Sequence, residues 1–387
     1  MKIVHITYIY IDGFSYQENE LPKTHAQLGH EVTMISTQNF AGSINKSHIH
    51  EPVKDKKPYF IDGVKVIRLP LKINIDYRFS VLKDLYETLE SENPDLIYSH
   101  GGAYLNLKIV ESYKKKHPNC YWCLDFHGEY YNTGTNFISR FYHKYFFRFI
   151  IKSAFKYANI GYYVTPLVGM FTEEMYKLPK QKLKMLPLGF DLSLVDFENR
   201  ITHREEIRSK FNIKNNDIVI ITGGRIESEK NTVELVDAFK KINKENIHLI
   251  IFGKIVDEYK EELEETIANH PNVHLAGWLT TKEINDYYLA SDIACFPGGQ
   301  SVLWQQAIGC GLPLCVKYFY GLEYLDLGGN VRFLYKDDPE TISTALNEII
   351  ENKELMNSMA NVAIQKGCEY FSYKNIAQTV IDDMKFF

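Results

Sequence analysis

The sequence predicts an α/β protein of two domains, each built on a parallel sheet with helices packed against it. The chain has 387 residues, and 45% of them are hydrophobic, which is enough for two separate cores. Strand and helix patterns alternate from the first residues, and they alternate again after a charged stretch in the middle of the chain. This alternation is typical of parallel sheets, because neighbouring parallel strands need a helical crossover between them.

The N-terminal half begins with a βαβ unit. Residues 2–7 form a strand that begins too early for a signal peptide, and a polar loop at 12–15 leads into a helix. Gly29 closes this helix before the next strand, as glycine commonly does. Two later strands end at His100 and His127. A histidine taken alone is more often structural than catalytic, but the position of His127 raises it above that expectation.

The C-terminal half begins with a β-branched strand at residues 218–222, followed by a helix over residues 231–242. The connecting loop contains Arg225 and Lys230. Ligands bind at such strand ends in α/β folds. Arginine can hold two phosphate oxygens with its planar fork, and lysine adds a compact charge for a third. The pair therefore suggests a clamp for a diphosphate, although short patterns of this kind are often only solvated loop charges.

A second loop of the same half is also compatible with phosphate. A strand that ends at Pro297 leads into Gly298, Gly299, Gln300 and Ser301, and a helix follows. Glycines before a helix allow backbone N–H groups to approach an anion, and the helix N-terminus adds a favourable partial charge.

The order of these signals resembles the donor domain of retaining GT-B glycosyltransferases of the family 4 type (glycosyl transferases group 1). The segment 28–32 resembles the N-terminal domain of the same family. The resemblance implies a GT-B fold, in which two Rossmann-like domains face each other across a cleft.

The resemblance also implies roles for individual residues. Arg225 and Lys230 would bind the donor diphosphate, and His127, which fits better than His100, would face the donor sugar from the N-terminal domain. The remaining donor-binding candidates are Gly224, Gly253, Gly277, Gly299, Gln300, Ser301, Val302 and Gln306. The acceptor or cleft candidates are Gly13, Phe14, His100 and Glu129.

The chain departs from the family at two glutamates that usually lie eight positions apart. Gln306 takes the place of the second and Gly298 that of the first, in a loop about three residues shorter than usual, and Gln300 is a candidate to replace the first. Glutamine keeps an acceptor oxygen and gains two donors, but it lacks the negative charge. We therefore expect hydroxyl recognition to survive and electrostatic stabilisation of a cationic sugar to weaken.

The domain boundary is expected near residue 195. Residues 1–194 would form the acceptor domain and residues 195–372 the donor domain, with a helix over 373–387 that packs back on the N-terminal domain. The charged stretch 199–216 lacks a regular apolar period and is interpreted as the link between the domains.

The segment 136–159 contains five basic residues and no acidic ones, interleaved with aromatic residues. This pattern fits a helix that contacts anionic lipid, and it equally fits a helix buried on one side with a solvated basic face. Its apolar run is too short to span a bilayer.

Several other classes of protein are disfavoured. Cys120 and Cys123 lie in a strand pattern without a second cysteine pair, so we expect reduced thiols in the cytoplasm and no metal site. The net charge of −5 and the lack of nucleic-acid motifs argue against a nucleic-acid partner.

These observations predict a retaining glycosyltransferase that needs no metal or other cofactor. It would move a hexosyl or N-acetylhexosaminyl group from a nucleotide diphosphate, with UDP expected, to a glycan or lipid-linked acceptor in bacterial-type surface polysaccharide or glycoconjugate synthesis. We expect it in the cytoplasm, at the inner face of the cell membrane if segment 136–159 binds lipid. The alternative is a non-catalytic subunit that binds sugar nucleotides, whereas an epimerase is disfavoured because both family glutamates are absent.

Overall fold

A computed structural model describes residues 1–38, 57–73, 79–101, 104–133, 135–268 and 270–385. The chain divides into two compact units. Unit 1 comprises residues 1–187 and 376–387, and unit 2 comprises residues 188–375. Each unit is built on its own mostly parallel sheet.

The main sheet of unit 1 has the strand order β10-β9-β8-β7-β1-β2-β4-β3, and the short strands β5 and β6 pair separately. Only β3 runs antiparallel to its neighbour in the main sheet among the described strands. The strands are β1 (Lys2–Ile6), β2 (Glu31–Thr37), β3 (Tyr59–Ile61), β4 (Val64–Leu69), β5 (Leu71–Ile73), β6 (Val81–Leu82), β7 (Leu96–Ser99), β8 (Tyr121–Phe126), β9 (Ile160–Tyr163) and β10 (Leu183–Met185).

The helices of unit 1 connect these strands. They are α1 (Gln17–Gln27), α2 (Leu85–Glu92), α3 (Leu107–Lys116), α4 (Phe137–Phe141), α5 (Arg148–Phe155) and α6 (Pro166–Tyr176). A π-helical turn, Tyr142–Phe147, joins α4 to α5. The predicted helix in segment 136–159 is therefore present, with a widened turn at its centre.

Unit 2 has a parallel sheet with the order β13-β12-β11-β14-β15-β16. Its strands are β11 (Ile218–Gly223), β12 (Ile247–Phe252), β13 (Val273–Gly277), β14 (Ile293–Phe296), β15 (Leu314–Lys317) and β16 (Val331–Leu334). Its helices are α7 (Arg200–Lys210), α8 (Thr232–Ile242), α9 (Asp257–Ile267), α10 (Thr281–Ala290), α11 (Leu303–Gly309), α12 (Pro339–Ile350), α13 (Lys353–Val362) and α14 (Cys368–Tyr370).

The sheet of unit 2 is buried on both faces. Val219 and Ile221 belong to one core cluster, whereas Ile220 belongs to another, as the alternation of side chains along a strand requires. Burial on both faces explains why β11 and β12 consist almost entirely of apolar residues.

The last described helix, α15 (Tyr373–Lys385), links the two units by sequence, since residues from 376 onward belong to unit 1. Asp383 of this helix accepts hydrogen bonds from Tyr162 (2.9 Å) and from Lys184 (2.6 Å) of unit 1. The helix expected over 373–387 therefore begins where predicted, and residues 386–387 lie outside the described part.

The structure corrects the interpretation of residues 199–216. Most of this stretch forms helix α7. Its sequence shows no clear apolar period, because charged contacts hold the helix in place. Arg204 and Arg208 donate to the two carboxylate oxygens of Asp292 over 2.7 and 2.6 Å. A helix fixed by such pairs shows little of the apolar period on which helix prediction depends.

The unit boundary lies somewhat earlier than residue 195. Phe190 already belongs to unit 2, because its N–H donates to Phe371 (2.9 Å) and its carbonyl accepts from Tyr373 (3.0 Å). Its ring is buried in a core cluster of that unit.

Within the described residues, no helix combines the length and the apolar character that crossing a membrane requires.

Candidate functional site

The order of the strands in unit 2 indicates where a ligand would bind. Strand β11 lies between β12 and β14. After β11 the chain adds β12 and β13 on one side of it, and then β14, β15 and β16 on the other side. In open parallel sheets, ligands bind outside the carboxyl ends of the strands at such a reversal. The loops after β11 and β14, which contain the two predicted phosphate-binding segments, both leave the sheet at this point.

These two loops contact each other directly. The N–H of Gly299 donates to the carbonyl of Glu229 over 2.7 Å, and the side-chain amide of Asn231 donates to the carbonyl of Pro297 over 3.1 Å. A Cβ atom at Gly298 would lie only 2.3 Å from the carbonyl carbon of Lys230. The contact therefore needs glycine at position 298, where the family usually has a glutamate.

Three of the predicted glycines lie together at the ends of β11, β12 and β13. Gly253 donates its N–H to the carbonyl of Gly277 over 2.7 Å, and Gly224 donates to Phe252 over 3.0 Å. Gly253 has a φ of +120°, and a Cβ there would lie 1.8 Å from the carbonyl oxygen of Gly224. No side chain fits between these two backbones, so Gly253 shapes the edge of the site.

Lys230 is held in place by carbonyl groups of the neighbouring loop. Its Nζ donates to the carbonyls of Gly299 (3.1 Å) and Gln300 (3.0 Å), and burial lowers its pKa. An ammonium group has three N–H donors, so these two bonds leave one donor for a ligand. A phosphate oxygen would suit this donor, because the carbonyls solvate the lysine without neutralising it.

Arg225 lies in the same loop but is far more accessible, with 54% of its side chain exposed. Its Nε forms an ion pair with Glu227 over 3.0 Å. This contact engages the inner nitrogen, whereas the two terminal nitrogens form the end of the fork that grips two oxygens at once. Arg225 can therefore receive an anion from solvent while Glu227 orients its side chain.

The helix after the β14 loop offers less to an anion than the sequence predicted. Helix α11 has only seven residues, and the N–H of Leu303 at its start already donates to Ser301 Oγ over 3.3 Å. Gln300 and Val302 are exposed in the same loop, so their side chains can contact a ligand.

Gln306 is buried in α11 and makes a contact that the sequence did not reveal. Asn285 of α10 donates its amide N–H to the carbonyl of Leu194 over 3.2 Å, so its Oδ1 faces Gln306. The amide nitrogen of Gln306 donates to this oxygen over 2.7 Å, and the thiol of Cys310 also donates to it over 3.6 Å. This bond uses one of the two N–H donors of Gln306, and its carbonyl oxygen can accept a hydrogen bond from a ligand hydroxyl.

The predicted residues of unit 1 lie in loops that leave one edge of its sheet, after the adjacent strands β1, β7 and β8. Gly13 has a φ of +78° and lies in a turn in which the N–H of Phe14 donates to Ile11 over 3.3 Å. His100 follows β7, whereas His127 and Glu129 follow β8.

His127 is paired with a buried carboxylate. Its Nε2 lies 3.3 Å from Asp125 Oδ2, a distance typical of an ion pair, and one third of its side chain is exposed. Burial acts to lower the pKa of His127, but the carboxylate of Asp125, with a smaller contribution from Glu18, raises it to about 9. Burial likewise opposes ionisation of Asp125, yet His127 and His100 hold the pKa of its carboxyl well below the usual range. The imidazolium form of His127 therefore prevails at neutral pH.

Glu129 is nearly inaccessible, and its Oε2 has no hydrogen-bond partner within the described residues. Burial raises the pKa of this carboxyl. A buried carboxyl oxygen without a partner has hydrogen-bonding capacity left for a hydroxyl group, and the contact of Glu129 with an acceptor stays a prediction.

The sequence analysis did not identify Asp125. It lies two positions before His127, so in extended backbone the two side chains point to the same side. A charged residue inside the otherwise apolar strand Tyr121–Phe126 was the available signal. The sequence analysis also missed His5 and His25, which lie behind His100 in the interior of unit 1. Their separation in sequence left no local pattern that could connect them.

Two family models match the chain. Residues 203–366 match "Glycosyl transferases group 1", and residues 19–194 match "Glycosyltransferase Family 4". The α-monoglucosyldiacylglycerol synthase of Acholeplasma laidlawii is 25% identical over 166 residues, which cover 41% of this chain and 41% of that protein. The chain spans about half the length of the curated relatives it matches.

Solved structures resemble the whole chain. A glycosyltransferase from Rickettsia africae is 16% identical with a TM-score of 0.73, and the match covers 100% of this chain and 98% of that one. The structure of Anabaena HepE in complex with UDP-glucose is 15% identical with a TM-score of 0.68, and the match covers all of both chains. The predicted fold class, a GT-B fold of two Rossmann-like domains, is confirmed.

Proposed function

Because the chain belongs to the group 1 glycosyltransferases, we propose that it moves a hexosyl or N-acetylhexosaminyl group from a UDP-sugar to a glycan or lipid-linked acceptor. The observation that carries this proposal is the loop pair of unit 2. Lys230 is fixed by two carbonyls of the β14 loop, and the exposed Arg225 lies in the same β11 loop as Lys230. A fixed cation and an accessible planar cation suit the two phosphates of a nucleotide diphosphate.

The same two cations would act in the chemical step. Negative charge grows on the diphosphate as the bond to the sugar breaks, and fixed positive charge stabilises that state more than the ground state. Lys230 is oriented before the reaction, so little reorganisation is needed when the charge appears. Arg225 would add two parallel hydrogen bonds to the departing phosphate.

We propose that the transfer retains the anomeric configuration. The acceptor would attack from the face that the diphosphate leaves, and a leaving phosphate oxygen would take the acceptor's proton. The step is balanced without a separate protein base: one glycosidic bond breaks, one forms, and the proton moves to the diphosphate. Gln306 would accept a donor hydroxyl through its carbonyl oxygen.

The choice of UDP rests on the Anabaena neighbour, which was solved with UDP-glucose. We propose further that no metal is needed, since Arg225 and Lys230 supply the positive charge that a divalent cation would otherwise provide. Transfer should then persist in EDTA. Loss of activity that magnesium restores would show that the two side chains do not suffice.

A panel of nucleotide sugars tests the function. UDP-glucose, UDP-N-acetylglucosamine, GDP-mannose and ADP-glucose would each be added to the full-length protein, and its melting temperature would be measured. The best ligand would then be tested for hydrolysis and for transfer to lipid and glycan acceptors, with the product anomer assigned by NMR. Stabilisation and turnover by a UDP-sugar support the proposal. Stabilisation without turnover would favour a non-catalytic subunit, and no stabilisation by any donor would overturn the proposed site.

Segment 136–159 supports a lipid-linked acceptor. Its aromatic side chains are largely exposed, with Phe137 at 82% and Phe149 at 73%, and Lys144, Lys152 and Lys156 are exposed beside them. Aromatic side chains settle among lipid headgroups, and basic ones attract anionic lipid at about 1 kcal/mol each. The occupant that fits this face is an anionic membrane surface. The similarity to a protein named as a glucosyldiacylglycerol synthase is consistent with this choice.

Vesicle sedimentation tests the lipid contact. The unmodified protein should bind phosphatidylglycerol vesicles, bind phosphatidylcholine vesicles less, and dissociate as salt is raised. Changing Arg140, Lys144 and Lys152 to glutamine should weaken binding. Arg148 is spared because its Nε donates to the carbonyl of Met175 over 2.6 Å.

The matched control for vesicle binding is a triple change to glutamine at Lys260, Lys282 and Lys353. These lysines are exposed on unit 2, so the control removes the same charge from other surfaces. If both triple variants lose vesicle binding equally, the loss reflects net charge and not this segment. If the unmodified protein does not bind the vesicles, the lipid contact is contradicted.

A further inference from the structure

A chain of imidazole rings extends from Asp125 into the interior of unit 1. His100 Nδ1 lies 3.1 Å from Asp125 Oδ2, and His100 Nε2 lies 3.0 Å from His5 Nδ1. His5 Nε2 lies 3.0 Å from His25 Nδ1, and His25 Nε2 lies 3.3 Å from the carbonyl oxygen of Ala377 on α15. All three rings are buried. Four consecutive contacts thus connect a carboxylate with a backbone carbonyl.

The number of protons decides what this chain can do. Both of its ends, the ionised carboxylate and the carbonyl, are acceptors, so each needs an N–H directed at it. A neutral imidazole has one N–H and one lone pair. Three neutral rings therefore bring three protons to four contacts, and one contact must place two acceptors against each other. The longest contact, between His25 and Ala377, is the natural place for this missing proton.

Asp125 connects the chain to His127. Its Oδ1 accepts from the N–H of Gly101 over 2.7 Å, while its Oδ2 faces both His100 and the Nε2 of His127. The carboxylate is completely buried. A buried carboxylate is costly unless a positive charge lies beside it. That charge can be on His127, or it can be the fourth proton of the chain.

We propose that Asp125 and the rings of His100, His5 and His25 form a proton store that exchanges with His127. When His127 is protonated, the chain holds three protons. When His127 loses its proton, the chain binds one, which completes its fourth hydrogen bond to Ala377. One proton is released and one is bound, so the cluster stays neutral in both states. The proton store does not depend on the proposed glycosyl transfer, because the number of ring protons and the number of contacts are the same whatever reaction the protein catalyses.

The groups around the chain favour the first state at neutral pH. Burial lowers the pKa of His5, and it lowers that of His25 to about 3, so these rings stay neutral while His127 carries the charge. Glu18 of α1 adds a negative charge that favours the protonated form of His127.

The remaining titratable neighbours do not supply the proton. Tyr98 stacks on His5 at 5.2 Å and on Tyr162 at 6.1 Å, and Cys123 lies near Asp125. Burial raises the pKa of all three groups, so they remain uncharged. His30, on the other side of His25 at 6.3 Å, has a lowered pKa because of burial and the nearby N-terminal amine.

The test follows the ring nitrogens by NMR in full-length protein labelled with 15N-histidine and with 13C in the aspartate carboxyl. In the unmodified protein at pH 7, His127 should be an imidazolium and the three chain rings neutral. In His127→Gln, which removes the positively charged partner of Asp125, the chain should hold one additional proton at pH 7, on a ring or on Asp125. If all three rings stay neutral and Asp125 stays ionised in this variant, the store does not exist.

A second variant tests the coupling from the other side. Asp125→Asn keeps an acceptor for Gly101 but removes the charge, and it should lower the pKa of His127 from about 9 to 6.5 or below. A change that only loosened the structure would not produce this directed shift. The matched control is His30→Gln, because His30 lies beside His25 but outside the chain. It should leave the pKa of His127 unchanged, and an unshifted pKa in Asp125→Asn would overturn the proposal.

Discussion

The strand-end sites of the two units differ in how their charges are balanced. In unit 2, Arg225 is half exposed, and Lys230 is held by neutral carbonyls, so positive charge is available to a ligand. In unit 1, His127 is already paired with the buried carboxylate of Asp125. Glu227 pairs with the inner nitrogen of Arg225 at the surface, whereas Asp125 pairs with His127 in the interior. The two sites therefore differ in how much of their positive charge stays available to a ligand.

The difference in charge balance predicts how each site would respond to a mutation. Removing a cation from unit 2 removes an interaction with the ligand, so its effect should appear in donor binding and turnover. Removing a charged group from unit 1 leaves a buried partner without compensation, so its effect should appear first in protonation and stability. The following predictions test this contrast, beginning with the largest effect.

Loss of either cation of unit 2 should cause the largest change. Arg225→Ala and Lys230→Ala should each lower turnover by about a hundredfold or more, as expected when one charge-stabilising donor is removed. Lys230→Ala should also weaken donor binding, because it releases the carbonyls of Gly299 and Gln300. Steady-state kinetics with the best UDP-sugar measure both effects.

The control for these variants is Lys260→Ala on α9, an exposed lysine paired only weakly with Glu264 at 3.8 Å. It should leave kcat and KM unchanged. Near-normal turnover in both Arg225→Ala and Lys230→Ala would show that the loops of unit 2 do not hold the diphosphate.

The second prediction concerns Gln306 and is smaller. Gln306→Leu should weaken donor binding by about 1 to 3 kcal/mol, because a donor hydroxyl would lose its buried acceptor. The loss should be seen as a raised Kd in calorimetric titration with UDP-sugar. Unchanged donor binding would show that Gln306 serves only the packing of α10 and α11.

Gln306→Glu sharpens the same prediction. The family resemblance places a glutamate at this position, which by itself favours tolerance of Gln306→Glu. In this fold a carboxylate at position 306 would face Oδ1 of Asn285. Two acceptor oxygens would then lie against each other where the structure has an N–H···O hydrogen bond of 2.7 Å. Turning the amide of Asn285 would relieve this contact but would cost its bond to Leu194. We therefore expect Gln306→Glu to lower the melting temperature, whereas Gln306→Leu should not introduce this repulsion.

The parts of the fold that the sequence predicted are those with a local pattern. A strand was predicted to end at His127, and in the structure β8 (Tyr121–Phe126) ends there, because the run is apolar apart from Asp125. The two loops of unit 2 were predicted because their glycines and cations are close in sequence. Helix α7 was missed because Arg204 and Arg208 pair with Asp292, which is more than 80 residues away.

The polar partners inside the sites could not be predicted for a related reason. Asn285 and Gln306 are 21 positions apart, and His5 and His100 are 95 positions apart. Whether two such side chains meet depends on strand order and helix packing, which local periodicity does not encode. The family resemblance supplied candidate ligand-facing positions, but it could not reveal contacts peculiar to this chain's own substitutions.

The smallest predicted effect is on the pH dependence of stability, to which His127 of unit 1 and His274 of unit 2 should contribute with opposite sign. Asp125 raises the pKa of His127 in unit 1 to about 9, so its stabilising charge is fully present below pH 6.5 and is lost as pH rises through 9. In unit 2, burial and the nearby His248 lower the pKa of His274 to about 4, so stability is lost as pH falls from 6.5 towards 4.

Melting temperatures measured between pH 4 and pH 10 should show both limbs. Asp125→Asn should flatten the alkaline limb, because it removes the charge that raises the pKa of His127. His274→Gln should flatten the acid limb in part, since His5 and His25 also resist protonation there. An alkaline limb that persists unchanged in Asp125→Asn would show that the pairing of His127 with Asp125 does not contribute to stability.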